Sequence, residues 1–396
     1  MSHTELRSLT GLFTTMFIMG LSFGLAFPAI AIRLEIAGEA PIMIGAVAAM
    51  ASVAILLVAD KVPAFQQRFG LLPVFIGALI ASSLIYLSMT QAEGLIAWFV
   101  LIFAVGAVNT VPWIMGEAWL NAVVKAGHRG RFMAIYAGIW GLGMALGPQL
   151  MVLLGPEGDG PFWVAGMAYG LAAIFIFIFR RGAPDLNEEQ KSDAPKKAVG
   201  AFAMIKLMPV VVIYSLAGGL AENIIYAMTP VYSLEMGFGA AFAANMITAF
   251  AFGGIVLQYA VGWASDRFSP RPVMAILLLV GGGMAALLPM VGSNLVLALL
   301  LCFLFGGMAM SIYTLTITLI GHGIARRHLP AAHSLMVIAY TAGGLVGPWS
   351  AGAVVQFISA PSMFYLIAIL FGACFLLSLA PFGKQPVAAE LAESSG

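Results

Sequence analysis

One carboxylate stands inside an apolar run that is long enough to cross a lipid bilayer. The run extends from Leu207 to Pro230, and Glu222 and Asn223 lie slightly past its middle. At about 1.5 Å per residue it spans the roughly 30 Å hydrocarbon core. An ionised carboxylate at that depth costs about 2.5–3.5 kcal/mol on insertion scales. Such a residue normally faces a water-filled cavity, a partner, or a proton that it binds.

Glu222 belongs to a polar stripe on this predicted helix. The stripe recurs at intervals of three and four residues and consists of Ser215, Gly218, Glu222, Tyr226 and Thr229, with Asn223 at its edge. Residues at that spacing share one helix face, which we expect to line the interior of a helix bundle. Two interpretations stay open. Either Glu222 binds protons or a cationic substrate, with Tyr226 and Asn223 orienting it, or it stays protonated and bonds a neighbouring helix.

Other apolar runs contribute further candidates for a substrate pathway, most of them amphipathic or aromatic. They are Asn109, Trp113, Tyr136, Trp140, Asn245, Gln258 and Tyr313. Aromatic residues at helical spacing also occur as ordinary packing, so that alternative stays open. No Lys or Arg occurs among these candidates, and an anionic substrate would usually require a buried cation. The pattern therefore favours neutral or cationic organic molecules.

The composition is that of a polytopic membrane protein. Of the 396 residues, 62% are hydrophobic and 9% are charged, whereas soluble proteins carry about 25% charged residues. The formal net charge of +1 gives no indication of nucleic-acid binding. Cys302 and Cys374 both lie in apolar runs, which indicates neither a disulfide framework nor a metal cluster.

Hydropathy predicts twelve spans joined by short loops, except for one long connection. The predicted spans are 9–32, 41–59, 71–90, 94–124, 132–154, 162–179, 207–230, 238–263, 272–291, 294–320, 332–358 and 361–380. The first run is about 23 residues long, which exceeds a signal-peptide core, so we expect it to be retained.

The long connection divides the chain into two predicted halves. Residues 1–179 form the first half, 180–206 a polar cytoplasmic linker, 207–380 the second half, and 381–396 a cytoplasmic tail. With Arg7 inside, 17 of the 18 Lys and Arg residues fall on the inner side and Arg33 falls outside. This asymmetry predicts a multi-pass protein of the cytoplasmic (inner) membrane with both termini in the cytoplasm.

Internal similarity supports the division into halves. A glycine–proline motif in the fifth span, Gly143-x3-Gly147-Pro148, returns in the eleventh as Gly343-x3-Gly347-Pro348, 200 residues later. Small residues allow tight helix crossings, and proline allows a bend. We expect these motifs to pack at the interface between the halves.

Loops at the predicted inner face carry charged residues at a defined spacing. The loop after the eighth span holds Gly262, Asp266, Arg267 and Arg271, and the loop after the second holds Asp60, Lys61 and Arg68. The aspartates can accept hydrogen bonds from a helix N-terminus, and the arginines can bridge to acidic groups across a closed face.

These residues match the inter-span signature G-x3-D-R-x-G-R-[RK] of the major facilitator superfamily, although Ser269 and Pro270 replace its inner Gly-Arg. The chain resembles that family over essentially its whole length. The resemblance implies an all-α fold of 12 transmembrane helices arranged as two pseudo-symmetric six-helix bundles. The glycine–proline motifs are similar to the antiporter signature of the family, which ends in G-P-x2-G-G.

A further segment resembles bacterial drug/proton antiporter-like members of undefined substrate. It contains Glu117-x-x-Leu120 followed by Arg129-Gly-Arg131. Glu117 lies near the predicted inner interface, within reach of Arg129, Arg131 or the loop with Asp60 and Lys61. We expect a structural gate ion pair there, with proton carriage by Glu117 as the alternative.

The resulting hypothesis is a secondary active transporter that works by alternating access and exports neutral or cationic organic compounds in exchange for protons. A nutrient-importing symporter or uniporter is the alternative, and a non-transporting membrane sensor is the alternative from another class. No phosphate-binding loop or nucleophile elbow is present, so we expect neither ATP use nor enzymatic activity. The expected partners are a small-molecule substrate and the bilayer, without nucleic acid. We expect a monomer that needs no cofactor and draws energy from the proton gradient.

Overall fold

The structure is a computed structural model that describes residues 3–125, 128–180, 183–184, 205, 208–323 and 328–379. Within these ranges the chain is helical and contains no strand. Most of the predicted linker and all of the predicted tail, 381–396, lie outside the described residues. So do Arg181, Lys191, Lys196, Lys197, Lys206, Arg326, Arg327 and Lys384, which contribute to the predicted charge asymmetry.

Twelve long helices occur in the described ranges, and we number them in chain order. They are α1 (His3–Ile36), α2 (Pro41–Val58), α3 (Leu71–Ser88), α4 (Gly94–Val123), α5 (Arg129–Leu154), α6 (Gly160–Phe179), α7 (Pro209–Glu235), α8 (Ala240–Phe268), α9 (Pro270–Leu287), α10 (Leu295–Gly323), α11 (Leu329–Phe357) and α12 (Ser362–Leu379). A short helix, Val62–Phe69, follows α2. Eleven of these helices, all except α11, are long and apolar enough to cross a membrane. Helix α11 is 29 residues long.

The helices pack in the same order in each half. In the first half α1 packs on α5, α2 on α4, and α3 on α6. In the second half the corresponding pairs are α7 with α11, α8 with α10, and α9 with α12. The fold class predicted from the sequence, two pseudo-symmetric bundles of six helices, is confirmed.

Glycines let the paired helices approach until their backbones touch. A Cβ on Gly20 or Gly24 of α1 would overlap the backbone of α5 at Trp140 or Met144. Conversely, Gly143 and Gly147 of α5 face the α1 backbone. Small residues at such crossings allow close van der Waals packing, which holds helices together in lipid, where no hydrophobic effect drives their association.

The glycines of the glycine–proline motifs therefore have a different position from the one expected, whereas Pro348 lies at the expected interface between the halves. Gly143 and Gly147 pack within the first half, and Gly343 and Gly347 pack against Leu216 and Leu220 of α7 within the second half. The motif glycines of α11 lie on the face that packs against α7, whereas a different face of α11 meets the other half. There a Cβ on Gly45 of α2 would overlap the Pro348 carbonyl oxygen.

The two ends of the bundle differ in charge. We call the end that carries Arg68, Lys125, Arg129 and Arg267 the basic face, and the end that carries Glu93, Glu157, Asp159 and Glu235 the acidic face. Contacts between the halves are made by α2 with α11, α5 with α8, and α1 with α7.

These contacts between the halves lie toward the acidic face. Gly352, near the acidic end of α11, approaches Pro41 at the start of α2. On α5 and α8, which run in opposite directions, the Thr248 hydroxyl donates to the Ala145 carbonyl oxygen over 2.8 Å. Toward the basic face Ala134 of α5 is exposed and Tyr259 of α8 is 83% exposed. The halves are closed at the acidic face and separated at the basic face.

Arg33, the one basic residue predicted on the outer side, is held by the acidic end of the first half. Its Nη2 lies 2.6 Å from Asp159 Oδ1, and its guanidinium stacks 4.9 Å from the centre of the Phe162 ring. Charge pairing and ring contact together compensate the partial burial of this cation.

We predict that Gly143→Ala destabilises the protein, because the new Cβ would overlap the Phe17 carbonyl oxygen and lie 2.6 Å from the Leu21 nitrogen. Overpacking of this kind costs about 1–3 kcal/mol. The apparent Tm in detergent should fall. Gly138→Ala is the matched control on the same helix, because a Cβ there meets nothing within 4 Å. Equal Tm values for the two variants would contradict the close packing of α1 on α5.

Candidate functional site

A cavity of about 320 Å³ lies between the two halves. It extends from Phe27 and Pro348, where the acidic side is closed, to Ala59, which adjoins Asp60 at the basic end of α2. The polar and large aromatic side chains of its lining are Phe23, Phe27, Ser52, Asn109, Thr110, Trp113, Trp140, Tyr169, Glu222, Asn223, Tyr226, Tyr313, Tyr340 and Thr341. Its size and its aromatic walls suit a small organic molecule.

Glu222 is partly exposed to this cavity and has one hydrogen-bond partner, because the Tyr340 hydroxyl of α11 donates to Glu222 Oε2. Glycines of α7 create this pairing. A Cβ on Gly219 would overlap the Tyr340 carbonyl oxygen, and a Cβ on Gly218 would lie 3.3 Å from the Tyr340 ring. The close crossing of α7 and α11 thus brings the phenol to the carboxylate.

The neighbours of Glu222 on α7 have different roles. Asn223 lines the cavity, and its Nδ2 donates to the Gly219 carbonyl oxygen over 2.9 Å. The Tyr226 hydroxyl is buried without a hydrogen-bond partner among the described atoms. Its ring lies edge-on to Phe23 of the first half, with ring centres 6.2 Å apart. Ser215 is buried away from the cavity and bonds the Val211 carbonyl oxygen over 2.7 Å.

The first half contributes an amide and two indoles. Ser82 donates to Asn109 Oδ1 over 2.7 Å, which fixes the amide at the cavity wall. Trp113 and Trp140 meet edge to face with ring centres 5.1 Å apart. These groups face the carboxylate of the second half, so the cavity has a hydrogen-bonding aromatic side and an acidic side.

Three predicted pathway residues lie outside the cavity lining together with Ser215. Tyr136 is buried against Phe13. Asn245 Oδ1 accepts a hydrogen bond of 3.0 Å from Gln149 Nε2, which also donates to Thr248 over 3.1 Å. Gln258 donates to the Thr314 hydroxyl. Asn245 thus joins the halves, and Gln258 joins two helices of one half.

Sequence reasoning missed Tyr340, although it is the partner of Glu222. A signal was available, because Tyr340, Gly344 and Pro348 recur at intervals of four residues and share one face of α11. That face meets the cavity and α2, whereas the motif glycines Gly343 and Gly347 face α7.

The electrostatic character of the cavity is simple. Among the described residues its lining contains one carboxylate, Glu222, and no Lys, Arg or His. Within the described ranges no group of His, Cys, Asp and Glu is arranged to hold a metal ion.

The predicted inner-gate residues lie at the basic face, where the halves are apart. Asp60, Lys61, Arg68, Arg129, Arg131, Asp266, Arg267 and Arg271 are exposed, and Gly262 is partly exposed. Lys61 Nζ donates to the Leu57 carbonyl oxygen over 2.6 Å, and Arg129 Nε donates to the Val124 carbonyl oxygen over 3.1 Å. No ion pair joins Glu117 to a basic side chain in the part of the chain that the structure describes. The expected gate pair is not formed in this conformation.

A family model, the Major Facilitator Superfamily, matches residues 12–246 and 239–394. The chain belongs to this superfamily. It is therefore a membrane transporter and not an enzyme, and the resemblance inferred from the sequence is confirmed.

Similar proteins extend over most of the chain. It is 27% identical over 366 residues to the uncharacterized MFS-type transporter YfkF of Bacillus subtilis (strain 168), covering 91% of each chain. It is 25% identical over 328 residues to the MFS-type transporter Ent638_1421 of Enterobacter sp. (strain 638), covering 81% of each.

Solved structures share the fold at low sequence identity. The nucleoside transporter NupG has a TM-score of 0.78 and 14% identity, with 97% of this chain and 100% of that chain covered. A bacterial homolog of the human lysosomal transporter Spinster, in an inward-facing and unoccupied conformation, has a TM-score of 0.73 and 11% identity, with 96% and 94% covered. At these identities the likeness concerns the fold alone.

We predict that Gln149→Leu shifts the protein toward opening at the acidic face. The substitution removes the hydrogen bonds to Asn245 and Thr248 that join the halves, each worth about 0.5–1.5 kcal/mol. Spin labels at Ala37→Cys and Met236→Cys, at the acidic ends of α1 and α7, should report a larger fraction of long distances. The background replaces Cys302 and Cys374 by alanine.

Gln91→Leu, at an exposed position near the same face, controls for the loss of an amide. An identical distance distribution for Gln149→Leu and Gln91→Leu would show that the α5–α8 hydrogen bonds do not hold the acidic face closed.

Proposed function

We propose that the protein is a proton-coupled secondary carrier that exports small neutral or cationic organic molecules by alternating access. The observation that carries the proposal is Glu222, the one carboxylate among the described residues that line the central cavity, which include no basic residue. A carboxylate inside the membrane region normally marks an ion or substrate path.

The charge of the cavity supports the choice of substrate class. An anion would enter a site that offers a carboxylate and no cation, and it would meet uncompensated repulsion. A cation would gain the carboxylate and the faces of Trp113, Trp140 and Tyr226, since aromatic rings attract cations. A neutral aromatic compound would gain the same ring contacts and the Asn109 amide.

Exchange follows from the competition of two ligands for one charge. Glu222 binds a proton or a cationic group, but it neutralises only one of them at a time. The Tyr340 hydroxyl keeps the ionised carboxylate partly satisfied between the two occupied states. A proton that enters from one side can thus displace a substrate that entered from the other.

Alternating access requires that the two halves close at one face when they open at the other. In the present conformation α5 and α8 are hydrogen-bonded near the acidic face and exposed near the basic face. We propose that residues 1–179 and 207–380 move as the two rocking units, with 180–206 as their linker. Asp60, Arg129, Asp266 and Arg267 would then pair across the basic face when it closes.

The positive-inside rule supports a cytoplasmic basic face, because 17 of the 18 Lys and Arg residues belong to it by the predicted topology. On that basis we place both termini in the cytoplasm, the protein in the inner membrane, and the cavity open to the cytoplasm. Cytoplasmic access to the cavity would allow an exporter to load its substrate from the cytoplasm. The monomer contains both halves of the cavity.

A second candidate is import of a neutral heterocyclic nutrient in symport with protons. The observation that favours it is the side of the cavity formed by Asn109, Trp113 and Trp140, where an amide can bond the edge of a ring and indoles can contact its face. The fold likeness to NupG, a nucleoside transporter by its printed name, suggests uridine as a test compound.

We predict that Glu222→Gln strongly reduces transport driven by a pH gradient. The amide keeps the size of the side chain but cannot bind a proton or neutralise a cation. Loss of a charge-assisted contact worth about 1.5–3 kcal/mol should reduce the driven rate about tenfold or more. The measurement is flux of ethidium and of uridine in proteoliposomes under pH gradients of each sign, with Glu157→Gln, an exposed loop carboxylate, as control.

The sign of the effective gradient separates the candidates. Movement of ethidium in the direction opposite to proton flow supports exchange. Movement of uridine in the same direction as proton flow supports symport. Full pH-driven flux by Glu222→Gln would refute the role of this carboxylate in either mechanism.

A further inference from the structure

A second carboxylate, Glu117 of α4, lies on the opposite half from Glu222. Asn109, Trp113 and Glu117 are spaced by four residues, so they share one face of α4, and the first two line the cavity. Glu117 continues this face toward the basic side and is half-buried. Its carboxylate has no hydrogen bond or ion pair in the described residues, although Asn121 donates to its backbone carbonyl oxygen over 3.0 Å.

Two tyrosines surround this carboxylate, one from each half. Tyr136 of α5 lies near Glu117, and its buried hydroxyl touches Gly116 and has no hydrogen-bond partner among the described atoms. Tyr313 of α10 lies near both Glu117 and Glu222. Its ring meets that of Tyr340 edge to face, with ring centres 5.1 Å apart, and Tyr340 donates to Glu222.

The two carboxylates therefore lie on opposite halves of one cavity, with aromatic rings between them. We infer that Glu117 is a second proton-binding residue and that, without bound substrate, closure of the basic face requires a proton on Glu117 or on Glu222. The inference rests on the proposed function in taking Glu222 as the first proton site.

The groups around each carboxylate support this assignment. Tyr226, Tyr313 and Tyr340 line the cavity with Glu222, and Tyr340 donates a hydrogen bond to it. Tyr136 and Tyr313 lie near Glu117, while Asp60, Lys61, Arg68, Arg129 and Arg131 at the neighbouring basic ends are exposed. A tyrosine hydroxyl is neutral, so Tyr340 orients Glu222 without cancelling its charge.

Like charges on opposite halves oppose the approach of those halves. While the basic face is open, water in the cavity screens Glu117 from Glu222. When the basic face closes, water is expelled and the repulsion of two ionised carboxylates grows. A proton taken from water by either carboxylate removes that repulsion. An empty and fully ionised carrier would therefore stay open at the basic face, so the carrier would not change between its two states without a substrate or a proton.

The test measures closure of the basic face without any substrate. Ala134→Cys on α5 and Tyr259→Cys on α8 are both exposed near the basic face, and they carry spin labels in a protein without Cys302 and Cys374. The protein is held in lipid nanodiscs over a pH series, and the ratio of short to long distances gives the closed-to-open ratio. We expect this ratio to rise as the pH falls.

Glu117→Gln and Glu222→Gln should each raise the closed-to-open ratio at high pH about tenfold and flatten its pH dependence. Glu93→Gln, an exposed carboxylate at the acidic face, should leave both unchanged. Unchanged pH dependence in Glu117→Gln, with a loss in Glu222→Gln, would overturn the second site and leave the proposed function intact. The proposed function would instead be refuted by the flux assay, if the Glu222→Gln protein kept full pH-driven flux.

A double variant tests whether the two carboxylates are coupled. The effects of Glu117→Gln and Glu222→Gln on the closed-to-open ratio should be non-additive, because one neutralisation already removes the repulsion. Additive effects would overturn the coupling of Glu117 to Glu222.

Discussion

The rest of the structure depends on one constraint: a carboxylate within a membrane-crossing helix must be solvated by the protein. Glu222 meets it with a phenol from α11 and with access to the central cavity. The phenol reaches the carboxylate only because Gly219 lets α7 and α11 touch. That crossing in turn places the opposite face of α11 against α2 of the other half. A local need for solvation is thus connected to the interface on which transport depends.

Hydropathy and charge were sufficient to predict the fold. The sequence shows twelve apolar runs, a division near residue 180 and repeated glycine–proline motifs. The runs predict helices, because the backbone N–H and C=O groups of each span must form hydrogen bonds within that span in lipid. The stripe on α7 was readable for the same reason, since three- and four-residue spacing reports one helix face. Of its members, Glu222, Asn223 and Tyr226 line the cavity.

The sequence did not predict which neighbour each side chain contacts, because that depends on the rotation of each helix and on which end of the bundle is closed. Asn245 and Tyr136 have the same polar or aromatic character as the lining residues, yet one bonds Gln149 and the other packs on Phe13. The motif glycines are similar, since their spacing predicts a close crossing but not the helix they cross. Periodicity identifies a face of a helix, whereas packing decides what that face meets.

The antiparallel contact of α5 and α8 has a mechanical consequence. Ala134 and Tyr259 each lie 11 residues from the Ala145–Thr248 hydrogen bond, or about 16 Å along a helix. If that bond acts as a fulcrum, a tilt of about 10° moves each end by roughly 3 Å, in opposite directions above and below it. The width of the vestibule at one face then fixes the width at the other. If the halves rock in this way, the two entrances would not be open together, and the cavity would not form a continuous path for protons across the membrane.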